Sequence, residues 1–148
     1  MAESVRGRAD VVIDTNIALD LLVFEDPGQE ALTAALANGE LAWIATAAMR
    51  DELARVLGYP LIARRLQSRG LQADAVLAAW DARTHRVDGV PPRARFVCKD
   101  PDDQVFVDLA VAHGARLLSK DHAVLAMRKR LASCGVSVAR DWTAPSPA

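Results

Sequence analysis

A chain of 148 residues, half of them hydrophobic and a quarter charged, suits one globular domain with its own core and excludes a disordered or low-complexity class. No apolar run approaches the roughly 20 residues of a membrane span, and the charged N-terminal stretch 1–10 lacks the apolar segment of a secretory signal, so a cytoplasmic protein is expected. A net charge of −1 neither selects nor excludes a nucleic-acid partner, and Cys98 and Cys134, without zinc-ligand spacing, read as free thiols in a reducing compartment.

In chain order, Val11 to Ile13 is a β-branched strand and Ile17 to Val23 a short helix. Gln29 to Ala37 is helical and stops at Asn38-Gly39. Leu41 to Ala45 is the second strand, after which Thr46 caps a helix reaching Leu57. Two further helices are predicted over Leu61 to Arg69 and Asp74 to Arg86, then a Gly/Pro connection from Val87 to Arg93. Arg95 to Cys98 is predicted as the third strand, Pro101 to His113 as a helix closed by Gly114, and Ala115 to Ser119 as the fourth strand. A helix from Asp121 to Ser133 and a fifth strand from Val136 to Ala139 complete the domain, 1–142, with 143–148 as a flexible tail. Alternation of this kind predicts a three-layer α/β/α sandwich around a parallel sheet of about five strands, Rossmann-like in its winding. Ligands in such folds bind beyond the carboxyl ends of the strands.

That edge collects acid. Asp14-Thr15-Asn16 follows strand 1, Glu52 lies on the helix after strand 2, Cys98-Lys-Asp-Pro-Asp-Asp103 follows the predicted strand 3, and Ser119-Lys120-Asp121 follows strand 4. Each carboxylate also has an ordinary explanation. Asp14, Asp100 and Asp121 can cap helices, and Asp102 and Asp103 complement a helix dipole. Glu52 is preferred to Asp51 because its i±3/4 neighbours Met49 and Val56 are bulkier and apolar. Asp103 heads the packed stripe Phe106/Val107, Ala110 and Gly114, whereas Asp108 falls off that stripe and is expected in solvent. Gathered in one cleft, Asp14, Glu52, Asp103 and Asp121 would repel one another unless cations joined them, and an oxygen-only set suits Mg²⁺ or Mn²⁺ rather than zinc. The chemistry that fits is metal-assisted phosphodiester hydrolysis. Basic clusters at Arg64-Arg65 with Arg69, Arg93 with Arg95, and Arg128-Lys129-Arg130 are solvated faces or phosphate contacts.

The stretches VVIDTNIALDLL, RDELARVL and CKDPDDQVFVDLAVAHGARLLSKDHAVL resemble the PIN-domain nucleases, in particular the bacterial branch of toxin components of toxin–antitoxin pairs (VapC-like). The resemblance implies a Mg²⁺- or Mn²⁺-dependent endoribonuclease acting on single-stranded RNA, commonly a homodimer and held inactive by an antitoxin. Residue by residue it implies Asp14, Glu52, Asp103 and Asp121 as catalytic and metal-binding, supported by Thr15, Asn16 and Ser119. Lys120 stands where many relatives have Gly, and Gln104 where Asp or Asn is frequent; with Asp100 they stand beside the set. Two other classes fit less of the pattern. An aspartate-nucleophile phosphatase would want Asp rather than Asn16, and a non-catalytic RNA- or antitoxin-binding module would not need four carboxylates.

Overall fold

The computed structural model describes residues 9–143, so the predicted tail lies outside the described residues except for Thr143. Five parallel strands form one sheet in the order β3-β2-β1-β4-β5: β1 Ala9–Ile13, β2 Leu41–Ala45, β3 Thr84–Arg86, β4 Arg116–Leu118 and β5 Val138–Ala139. The helices are α1 Thr15–Leu19, α2 Glu30–Ala37, α3 Ala47–Leu57, α4 Pro60–Ser68, α5 Ala73–Arg83, α6 Gln104–His113, α7 His122–Leu125 and α8 Arg128–Ala132. A π turn, Asp20–Phe24, extends α1. None of these helices is long and apolar enough to cross a membrane.

The central strands are apolar where both faces of the parallel sheet are covered, with Asp10 and Arg116 at the less buried amino ends of β1 and β4. All five residues of β2 are buried, as are Val11, Val12 and Ile13 of β1. With right-handed crossovers, the steps β1 to β2 to β3 put α1 to α5 on one face, and the return through β4 to β5 puts α6 to α8 on the other. Trp43 of β2 meets Trp80 of α5 edge-to-face, ring centroids 6.3 Å apart, and anchors the first layer. Phe106, Val107, Leu109 and Ala110 of α6 anchor the second, each at most 1% exposed. Gly114 ends α6 at φ 59°, a left-handed conformation that glycine adopts without a Cβ clash.

The order in which strands are added reverses between β1 and β4, which remain parallel. Ile13 pairs with Leu118, so Asp14 and Ser119 leave the sheet side by side at the topological switch point, the place where such sheets form a crevice.

The sandwich and its strand number agree with expectation, but one strand does not. Arg95 to Cys98 is not a strand; the third strand is Thr84–Arg86, inside the segment expected to finish a helix. These three residues pair with Trp43, Ile44 and Ala45, the free edge of β2. The backbone of 94–98 is satisfied elsewhere. Asp108 Oδ1 accepts from Ala94 N–H at 2.8 Å, Gln104 Oε1 accepts from Cys98 N–H at 2.6 Å, and Gln104 Nε2 donates to Phe96 O at 3.2 Å and to Asp108 Oδ1 at 2.9 Å. Asp108 is therefore buried, 7% exposed, not solvated as its position off the stripe suggested. The expected helix over Asp121 to Ser133 is also two short helices, α7 and α8, separated at Ala126-Met127.

Removing Asp108 tests that side-chain clamp. Asp108→Ala leaves the buried Ala94 N–H without an acceptor and costs on the order of 2 kcal/mol. Urea unfolding reads the loss, and hydrogen exchange reads faster opening at Ala94. An unchanged midpoint would show that the clamp does not hold the segment.

Candidate metal centre

Four acidic side chains reach the carboxyl edge because they begin helices there. Asp14 caps α1, its Oδ1 accepting from Ile17 N–H at 3.0 Å. Asp100 accepts from Asp102 N–H at 3.0 Å at the 3₁₀ turn Pro101–Asp103 that leads into α6. Asp121 caps α7 through Ala123 N–H at 2.7 Å. Asp103, at the end of the 3₁₀ turn, is carried by the first turn of the helix itself. A capping carboxylate spends one oxygen on backbone amides and is thereby fixed in direction, with its second oxygen free for other work.

The tightest group is Asp100, Asp103 and Asp121, each with an oxygen within 4.8 Å of the others. Asp103 Oδ2 is buried and has no hydrogen-bond partner among the described residues. Burial first, then the charges of Asp121, Asp100, Asp14 and Glu52, push the Asp103 carboxyl up to about 7. An unpartnered buried carboxylate oxygen among like charges is what a cation relieves, and all-oxygen donors fit Mg²⁺ or Mn²⁺. The residues present thus fit a hard divalent ion.

Asp14 and Glu52 flank this trio from the other layer. Asp14 is 3% exposed, and burial raises its carboxyl against the opposing pull of the Ser119 hydroxyl and the Ile17 N–H. Ser119, fully buried, donates its hydroxyl to Asp14 Oδ2 at 2.5 Å and accepts from Asp121 N–H at 3.0 Å, tying two acidic residues together. Glu52 Oε2 accepts from the Thr15 hydroxyl at 2.8 Å; half-burial raises its carboxyl, with that bond opposing. Asp51, the neighbour it was weighed against, is exposed.

The other candidates have different places. Asn16 is exposed and makes no side-chain hydrogen bond among the described residues. Gln104 is not part of the cluster, its amide being spent on residues 96, 98 and 108. Lys120 pairs with the buried Asp20, Nζ to Oδ2 2.6 Å, while its charge also pulls the Asp14 carboxyl down, and Gln29 Nε2 lies 3.4 Å from the same Asp20 oxygen. The pairing of Asp20 with Lys120 and of Asp108 with Ala94 could not be read from the sequence, since these partners lie 100 and 14 residues away. Both histidines of this region, His113 and His122, are exposed. Cys98 is buried, which pushes its thiol up and makes it unreactive.

Residues 10–123 match the family model described as the PIN domain. No curated protein compared with the chain matches it significantly. PIN domains are generally metal-dependent nucleases that hold Mg²⁺ or Mn²⁺ on acidic residues. With the match spanning most of its length, a parallel sheet of this order and an acidic cluster beyond the carboxyl edge, the chain belongs to the PIN-domain family.

Proposed function

We propose that the protein is a Mg²⁺- or Mn²⁺-dependent endoribonuclease that hydrolyses phosphodiester bonds of single-stranded RNA. The observation that carries this reading is the buried, unpartnered Asp103 Oδ2 among Asp100 and Asp121. When bound, a divalent ion neutralises phosphate charge and makes water a better nucleophile at neutral pH. Asp100, Asp103 and Asp121 would hold it, and Asp14 would stand beside them, oriented by Ser119 and Ile17 N–H. Glu52, steadied by Thr15 and raised by burial, would stand beside the cluster as a proton acceptor. Preset carboxylates do not have to reorganise when substrate arrives, which is where such sites gain rate.

The toxin role, a cognate antitoxin, a homodimer and a cytoplasmic location belong to the same proposal and rest on the likeness of the DTN, DPDD and SKD segments to the toxin branch. Purified protein with added Mn²⁺ or Mg²⁺ is expected to cut single-stranded RNA internally, and EDTA to stop it. Metal-independent cutting, or none with either ion over a panel of transcripts, would overturn the reading. A small DNA-binding protein encoded next to this chain is the expected sign of the toxin role.

A further inference from the structure

The segment expected as the third strand is held by side chains instead. Its backbone is pinned to α6 at residues 94, 96 and 98 by Asp108 and Gln104, and it runs directly into Asp100. Pinning imposes a period of two: Ala94 and Cys98 are buried and Phe96 half-buried, while Arg93, Arg95, Val97 and Lys99 are exposed. Three of those four outward residues are cationic. None of the three has a carboxylate within ion-pair distance among the described residues, unlike Arg50, Arg69, Arg86 and Lys120. Arg95 is further steadied by the Phe96 ring, its guanidinium carbon 5.3 Å from the centroid.

We propose that Arg93, Arg95 and Lys99 form a rail for the phosphates of single-stranded RNA and lead the strand to the acidic cluster at Asp100. This assignment rests on the nuclease reading above and names its substrate path. Arg93, Arg95 and Lys99 stand two and four residues apart on a backbone that bends at 95–96 and again at 99–100, so the cations are spread along the segment and can serve separate phosphates rather than compete for one. Positive charge beside the cluster answers a physical need, because the carboxylates by themselves repel the polyanion they must approach. Contacts of this kind recognise backbone and not base, so the rail tolerates sequence. The buried clamp matters here because a floppy loop would lose entropy on binding.

The test compares two triple variants with the same change in charge. Arg93→Ala/Arg95→Ala/Lys99→Ala removes the rail. Arg128→Ala/Lys129→Ala/Arg130→Ala removes a basic cluster on α8, where Arg128 lines a cleft with Gly135 and Val136, at the amino end of β5 and the opposite edge of the sheet. Binding of a fluorescein-labelled oligouridylate is followed by anisotropy in EDTA, so that no cutting intervenes, across a salt series. Loss of the rail is expected to weaken binding at least about tenfold and to lower the salt slope by about 2, with the α8 variant unchanged. With Mn²⁺ added, KM for a long RNA rises while kcat holds, and cleavage of a dinucleotide too short to reach the rail is unaffected. Thermal melting checks that both variants fold, and Arg93→Ala/Arg95→Ala repeats the test with Lys99 beside the cluster intact. Equal losses in the two triples, no loss in either, or no binding by the unmodified protein would each overturn the rail. Binding that depends on the rail without any cleavage would instead overturn the nuclease reading and leave the rail standing.

Discussion

Asp14→Asn is expected to lower RNA cleavage by at least about three orders of magnitude, several kcal/mol of lost transition-state stabilisation, while leaving the fold as stable as before or more so. The two effects have opposite signs for one physical reason. Burial opposes the negative charge of Asp14, so the folded protein carries a cost for keeping that carboxylate ionised. Asparagine removes the charge and keeps the shape. Its carbonyl can still accept from Ile17 N–H, and its amide can donate to Ser119 Oγ, which already accepts from Asp121 N–H. A mutation that merely damaged the fold would lower activity and melting temperature together. Cleavage assays and thermal melting on the same preparation separate the cases, and activity within tenfold of the parent at unchanged stability would remove Asp14 from the chemistry.

Such opposition between stability and function is expected wherever like charges are gathered. Ser119 shows how the protein manages it. One buried hydroxyl lies between the Asp14 carboxylate and the Asp121 backbone, so the ends of β1 and β4 are held at a fixed separation despite the nearby charge. Lys120, the residue between them, is drawn off by Asp20 on the π turn of α1. Its ammonium pairs with Asp20, and its charge still favours the ionised Asp14 carboxylate.

How much of this was legible in the sequence depends on whether the deciding partner was local. The run Val11-Val12-Ile13 before Asp14 needed no partner to be read as a buried strand delivering a carboxylate to the sheet edge. Glu52 could be told from Asp51 by its helical neighbours alone, and the exposed Asp51 agrees. The third strand could not be found this way. Thr84–Arg86 is short, polar and mostly exposed, and becomes a strand only because β2 offers it an edge. Arg95 to Cys98 alternates like a strand, yet the Cys98 amide meets the side chain of Gln104 and the preceding Ala94 amide that of Asp108, a choice that periodicity cannot reveal. Asp100 illustrates a different difficulty. Capping a helix and joining a metal cluster look like competing explanations in sequence, but a carboxylate has two oxygens and Asp100 caps a turn while lying in the trio.

Asp103→Asn separates the electrostatic cost of the cluster from its use, through pH. In the folded protein this carboxyl titrates near 7, against 3.8 for its ordinary value. Between those values the native state binds more protons than the unfolded state, so this group's contribution is fully present below about pH 4 and is lost as pH rises through 7. Half-exposure and solvent screening reduce the loss to the order of 2 kcal/mol at pH 8. The metal-free asparagine variant should therefore be more stable than the parent at pH 8 by about that amount, the difference vanishing near pH 4 in urea titrations. A divalent ion reverses the order. It stabilises the parent at pH 8 in proportion to its occupancy, by about 2.7 kcal/mol at a hundredfold excess over Kd, and the variant far less. Because proton and cation compete for the same oxygen, Mn²⁺ affinity of the parent should fall up to about tenfold per unit below pH 7, with a shallower dependence in the variant. Parallel stability curves for the two proteins without metal would show that Asp103 carries no such strain, and the unpartnered oxygen would then lose its claim as the point where the cation binds.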